Sequence, residues 1–203
     1  MQFLRLLRWT KAGSGLFSEY PKTSMMTEKK SVLAIIGSAS KNSSNQQLVN
    51  RIGELTRNDF HLTIFDNLST LPHFNPELSI AKTPSEILAF RELISKADGI
   101  IICTPEYVFS IPSGLKNAIE WCVSTTIFAK KPVGLITASA NGQKDHEELQ
   151  LIMRTLETRF TDKTTLLIPG IKGKIASHGK LTDTETEETL HNFLLNFQQL
   201  LSE

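Results

Sequence analysis

The sequence has no stretch approaching the ~18 consecutive apolar residues that cross a bilayer, so a membrane-spanning helix is excluded as an organising element. It has two cysteines, Cys103 and Cys122, and no C-x-x-C pair. That count excludes a disulfide framework and reads as two buried, reduced thiols in a cytoplasmic protein. The five histidines, His61, His73, His146, His178 and His191, include no pair at helical ligand spacing, so no metal site is expected. Net charge is almost missing too. The formal value is +1 over 203 residues, which argues against a nucleic-acid surface spread over the fold.

The charge that exists is unevenly placed. Residues 1–30 hold six Lys/Arg and two Glu, whereas the remainder holds 16 basic and 19 acidic groups. The segment Met1-Gln-Phe-Leu-Arg-Leu-Leu-Arg-Trp-Thr-Lys11 is basic and partly amphipathic, but lacks a continuous apolar region and a small-residue cleavage site. Met25 and Met26 stand just before the first strand pattern. Residues 1–24 are therefore expected to be a mobile or loosely packed extension, dispensable for folding. The domain organisation expected is an extension over 1–30 and one folded domain over 31–203, long enough for a substantial core.

From residue 31 the chain alternates apolar runs with amphipathic segments, without internal repeats. Val32–Ile36, Ile100–Cys103 and Val133–Ile136 are apolar at nearly every position, as strands covered by helices on both faces must be. His61–Phe65 and Leu166–Ile168 add a second and a fifth strand. Between them, Ser44-Asn-Gln-Gln47 has capping-box spacing and introduces a helix with Leu48, Ile52 and Leu55 on one side. Thr83-Pro84-Ser85-Glu86 places a cap, a first-turn proline and an acid before Ile87, Phe90, Leu93 and Ile94. Helices are expected over 113–123, over 145–160 and from about Asp183 to the end. Residues 67–82 read as one long loop, a length often associated with function. Five β-α units in series imply right-handed crossovers and a three-layer α/β sandwich.

In such a sheet ligands bind beyond the carboxyl ends of the strands. The loop after the first strand, Gly37-Ser-Ala-Ser-Lys-Asn-Ser-Ser-Asn45, supplies hydroxyls, amides, backbone N–H groups and one cation at a helix N-terminus. It suits an anion such as phosphate. There is no G-x-x-x-x-G-K-[ST], no G-x-G-x-x-G after a strand, and no acidic residue at the end of the first strand for a phospho-receiver site. The loop after the third strand, Thr104-Pro-Glu-Tyr-Val-Phe-Ser-Ile-Pro112, is fixed by prolines and offers flat apolar surfaces at Tyr107 and Phe109. The loop after the fourth, Ala138-Ser-Ala-Asn-Gly-Gln143, is small and polar. Glu106 reads equally as a buried carboxylate beside a ligand ring or as a loop carboxylate bonded to backbone.

These loops resemble the NAD(P)H-dependent FMN reductases and their quinone and chromate reductase relatives. The family pattern G-S-x-R-x-x-S-x-N runs over Gly37–Asn45. The pattern T-P-E-Y-N-x-S-x-P-x-x-L-K-N-A-I-D-W runs over Thr104–Trp121, and K-P-V-x-L with a small-residue turn runs over Lys131–Gly142. The similarity spans about residues 31–200. It implies a flavodoxin-like fold with a five-stranded parallel sheet in order 2-1-3-4-5, bound FMN, and hydride from NADPH or NADH passed to a small acceptor such as a quinone, free flavin, azo compound or metal oxyanion. Ser38, Ser43, Ser44 and Asn45 would hold the phosphate. Pro105, Glu106, Tyr107 and Val108 would line the isoalloxazine, largely through backbone, and Ser139 would close its other side. No catalytic side chain is implied, because the flavin carries the hydride. The family's homodimers or homotetramers set the expected assembly. Two departures stand out: Ser40 occupies the family's Arg position, with Lys41 beside it, and Val108 occupies the family's Asn position. Two rival readings share the fold, a flavodoxin-type electron carrier and a module that has lost its cofactor.

Overall fold

The computed structural model describes residues 29–176 and 179–203. The expected N-terminal extension lies outside the described residues. Five strands, β1 (Lys30–Ile36), β2 (Phe60–Phe65), β3 (Gly99–Thr104), β4 (Val133–Ser139) and β5 (Thr165–Pro169), form one parallel sheet. Its order is β2-β1-β3-β4-β5, as the sequence pattern predicts. The central register places Ile35 opposite Ile102 and Ile102 opposite Leu135, so the apolar runs of β1, β3 and β4 lie side by side.

Alternation along each strand divides these residues between two cores. Leu33, Ile35, Ile100, Ile102, Val133 and Leu135 face helices α2 (Ser85–Lys96), α3 (Ser113–Glu120) and α4 (Gln143–Thr155). Val32, Ala34, Ile36, Ile101, Cys103 and Ile136 face α1 (Ser44–Leu55) and, beyond the four-residue α5 (Ile171–Lys174), the long α6 (Thr184–Ser202). The α6 stripe Leu190, Phe193, Leu194, Phe197 and Leu201 is buried, as its spacing predicts. It lies so close to the sheet that a Cβ on Gly134 would sit 2.7 Å from the Phe193 ring. Each of these large side chains contributes about 1.5–3 kcal/mol by leaving water.

Local differences from the sequence reading have simple causes. Ser43, in extended conformation, caps α1 by accepting from the Gln46 N–H at 3.1 Å, one residue before the predicted box. Two adjacent serines both precede a glutamine at the right distance, and backbone geometry selects the first. Thr83 does not cap α2. Its hydroxyl is turned back to the Leu78 and Ser79 carbonyls, and the helix begins after Pro84 without a side-chain cap. Helix α4 starts at Gln143 and stops at Thr155, because Glu157 takes a positive φ of 57° and Arg159 then bridges to Pro132.

Residues 67–82 are not one open loop. Two short 3₁₀ turns, Leu68–Thr70 and Pro76–Leu78, fold it down onto α3. Asn117 accepts from the Phe74 N–H at 2.7 Å and donates to the Pro72 carbonyl at 3.0 Å. The buried Trp121 indole donates to the same carbonyl at 2.8 Å, and its ring meets Phe74 edge-on. The Asn and Trp of the Thr104–Trp121 motif thus anchor a distant loop. Asn117→Ala leaves the Phe74 N–H without its acceptor and should lower unfolding stability by about 1–3 kcal/mol. Equilibrium denaturation with urea measures this; an unchanged midpoint and slope would show that the loop is held by other means.

Candidate functional site

The C-terminal ends of β1 and β3 lie side by side where the strand order reverses. The loops that leave them, with those after β4 and β5, line one cleft of about 1060 Å³. Ser38, Ser40, Ser43, Ser44 and Asn45 line it from the first loop, Pro105, Glu106 and Tyr107 from the second, and Ser139 from the third. Val108, the tenth residue of the sequence-derived set, is not among the lining residues. It stands on the outer tip of its loop, 93% exposed.

The first loop is shaped as an anion cradle. Buried Ser38 accepts from the Ser40 N–H at 3.3 Å and lies 3.4 Å from the Tyr107 hydroxyl, joining the first loop to the second. Buried Asn45 donates to the Ala138 carbonyl at 3.0 Å and accepts the Cys103 thiol at 3.2 Å, so its side chain is spent on fastening the three strand ends. Helix α1 has no acid in its first turn, and its first N–H groups precede the intrahelical ladder that starts at Gln47. An uncompensated helix N-terminus favours an anion. Both thiols are buried, and burial pushes Cys122 up to about 12 and Cys103 well above the ordinary thiol range.

Glu106 acts on backbone. It accepts from the Lys144 and Asp145 N–H groups at 3.0 and 3.1 Å, with Gly142 N–H at 3.4 Å. These donors open α4, whose own cap position is Gly142 at φ 90°, a residue with no side chain to do the job. A Cβ there would sit 2.8 Å from Thr137. The loop after β3 therefore caps the helix after β4. Glu148, one turn further along α4, returns the contact by accepting from the Ser110 hydroxyl at 2.7 Å and the Ile111 N–H at 3.1 Å.

Between these carboxylates lies Asp145, fully buried. Its Oδ2 accepts from the Thr137 hydroxyl at 2.9 Å, and its Oδ1 has no partner among the described residues. Burial raises its pKa to about 7; the Thr137 hydrogen bond opposes that rise, and Glu106 and Glu148 add to it. His146 places Nδ1 3.1 Å from the Thr137 oxygen, and burial lowers its pKa.

The tip of the second loop is strained. Tyr107 and Ser110 exchange backbone hydrogen bonds of 2.9 and 3.1 Å around Val108 and Phe109, which have φ of 52° and 60°. Two-residue hairpin turns with positive φ at both central positions favour Asn-Gly. A β-branched residue there is unfavourable by about 1–2 kcal/mol.

Sequence reasoning missed the fourth wall. Gly170, Ile171, Lys172, Gly173 and Ile175 line the same cleft, and the Gly170 N–H donates to the Ala140 carbonyl at 3.1 Å. No motif marks this segment, and its helix is a single turn. Among the described residues no group of His, Cys, Asp and Glu is arranged to hold a metal ion, and no helix is long and apolar enough to cross a membrane.

A doubly wound parallel sheet with a hydroxyl-lined anion cradle and a rigid ring-sided loop at its switch point defines a phosphate-bearing cofactor protein of the flavodoxin-like class. The chain belongs to the NADPH-dependent FMN reductase family, whose defining sequence pattern matches residues 31–172. Similar proteins include an NAD(P)H:quinone oxidoreductase of Solanum tuberosum, 31% identical over 177 residues that make up 83% of this chain and 91% of that one. A quinone reductase of Escherichia coli is 27% identical over 183 residues, 87% of this chain and 97% of the relative. Among solved structures, the flavoenzyme NAD(P)H:(acceptor) oxidoreductase FerB of Paracoccus denitrificans superposes with a TM-score of 0.76. It is 25% identical, and the match covers 85% of this chain and 97% of that protein.

Two outcomes test the site as described. Burial raises the Asp145 pKa in the folded protein to about 7, so the folded state holds this proton more tightly than the unfolded chain does. Its contribution is complete below its unfolded value of about 4 and is lost as pH climbs through about 7. Asp145→Asn should flatten the fall of the thermal midpoint between about pH 4 and 7; a profile that superimposes on the parent's would refute the buried acid. Val108→Asn, which places a residue tolerant of positive φ at the turn, should raise stability by about 1 kcal/mol, read by denaturant melts. A loss of stability would show that the Val108 side chain makes a contact worth more than the strain.

Proposed function

We propose that this chain binds FMN in the cleft between its first and second loops, accepts hydride from NADPH or NADH, and delivers the electrons to a small quinone-type acceptor. The observation that carries the reading is the meeting of an acid-free helix N-terminus and a proline-fixed loop in one cleft at the switch point. The residues present fit the cofactor. Hydroxyls and backbone N–H groups of the first loop suit a phosphate, the one lining carboxylate among the described residues is turned onto the α4 backbone, and Pro105, Tyr107 and Ser139 line the same cleft. Bound flavin supplies a ring that takes up hydride and releases electrons singly or in pairs.

The chain's own residues hold and orient. In this reading Ser38, Ser40, Ser43, Ser44 and Asn45 surround the phosphate, while the backbone of Pro105, Glu106 and Tyr107 lies along the ring, with Val108 outside the cleft, and Ser139 closes the far side. The Glu106 and Glu148 contacts keep the second and third loops at a fixed separation, so the ring meets a preformed slot. No side chain is assigned as acid, base or nucleophile. The quinone-type acceptor is supported by the similarity to the Solanum tuberosum NAD(P)H:quinone oxidoreductase and the Escherichia coli quinone reductase. Residues 31–203 form the cofactor domain in this proposal, with 1–30 outside it. A cytoplasmic homodimer or homotetramer belongs to the same proposal, and the exposed apolar side chains of Val108, Phe109 and Leu151 favour self-association.

Flavin titration followed by fluorescence quenching tests the site. Ser43→Ala should weaken FMN binding by roughly threefold to a hundredfold, the loss of one neutral or charge-assisted hydrogen bond. It should also cost about 1 kcal/mol of stability through the α1 cap. Ser40→Arg should tighten binding. Parent-like affinity in Ser43→Ala would place the phosphate elsewhere. Bleaching of the yellow holoprotein by NADPH, followed by recolouring with a quinone, supports an enzyme; a holoprotein that stays yellow with both nicotinamides supports the electron-carrier reading instead.

A further inference from the structure

We propose that Lys172, on the wall formed after β5, supplies with Lys41 the positive charge for the flavin phosphate that Ser40 fails to supply. The inference rests on the FMN reading above and assigns a binding role to a segment outside its sequence motifs.

Four observations carry it. First, two segments far apart in the chain, loop 38–47 and residues 170–175, line the same cleft, and each carries a lysine, Lys41 and Lys172. Second, neither lysine has an ion-pair or hydrogen-bond partner among the described residues, while neighbouring cations are spent. Lys174 reaches Asp183 at 3.8 Å, Lys144 reaches Glu147 at 2.8 Å and Lys116 reaches Glu148 at 3.8 Å. Third, Glu106 is the one carboxylate among the cleft-lining residues, and the α4 backbone holds it, so the cleft keeps an unbalanced positive field. Fourth, the Lys172 wall is fixed in place. Ile171 is buried beneath it, Gly170 donates to Ala140 at 3.1 Å, and the Thr182 N–H donates to the Lys174 carbonyl at 2.9 Å.

A phosphate monoester at the α1 N-terminus carries close to two negative charges at neutral pH. Hydroxyls and N–H groups orient such an ion but do not neutralise it. The first loop carries Lys41 but has Ser40 where the family pattern has a guanidinium. Lys172 lines the same cleft as that loop, so its charge and the phosphate would share one cavity. A lysine acts there as a point charge, without the bidentate geometry of arginine. The consequence is selectivity for FMN over riboflavin that depends on a residue more than a hundred positions from the phosphate loop.

The test compares FMN with riboflavin, binding each to the apoprotein by fluorescence quenching at low salt. Lys172→Gln should weaken FMN binding about tenfold and leave riboflavin binding unchanged, and the deficit should shrink as salt rises. Adding Ser40→Arg to Lys172→Gln should restore FMN affinity, because a cation returns to the same phosphate. An FMN affinity of Lys172→Gln within about twofold of the parent's would overturn the proposal, and so would equal losses for FMN and riboflavin, which indicate a structural role. Unchanged FMN affinity with a raised KM for NADPH alone would also overturn it, assigning the lysine to the donor's 2′-phosphate. A parent protein that binds neither flavin would instead sink the FMN reading itself.

Discussion

The site depends on one carboxylate that is bonded to backbone. Glu106 reaches from the loop after β3 to the first N–H groups of α4, which follows β4. A helix N-terminus needs acceptors, and Gly142 has none to give. Borrowing one from the neighbouring loop fixes the spacing between two walls of the cleft. Glu148 completes the clasp in the other direction through Ser110 and Ile111. Two carboxylates so placed leave little room for a third negative charge. The raised pKa of buried Asp145 is therefore a product of burial first and of the clasp as well.

The same arrangement governs the electrostatics of the cleft. An acid pointing into the first loop would repel an anion, whereas Glu106 is turned onto the α4 backbone, which leaves the acid-free N-terminus of α1 unopposed from that side.

The architecture was largely legible because a parallel sheet covered on both faces demands continuous apolar strands, and Val32–Ile36, Ile100–Cys103 and Val133–Ile136 meet that demand without interruption. Nine of the ten residues expected at the site line the cleft, since strand-end loops at a switch point have to converge. Other features left no local trace. Val108 and Phe109 are poor residues for a turn with two positive φ values, so propensity points away from the conformation they adopt. The fate of residues 67–82 was written in Asn117 and Trp121, some forty-five positions away. Lys172 sits in a single helical turn whose role depends on tertiary placement alone. The α1 cap missed by one residue because Ser43 and Ser44 are chemically equivalent and only the backbone angle separates them.

The position of α6 in the chain has a consequence for biosynthesis. Its phenylalanines close one face of the sheet by resting on strands made long before, and the two aromatic rings Phe193 and Phe197 lie against Gly134. Until the last turn of that helix has left the ribosome, the Ile36, Ile101 and Ile136 face has no cover along half its width. A nascent or C-terminally clipped chain is thus a half-sandwich with a water-exposed apolar sheet, the kind of surface that recruits chaperones or other sheets.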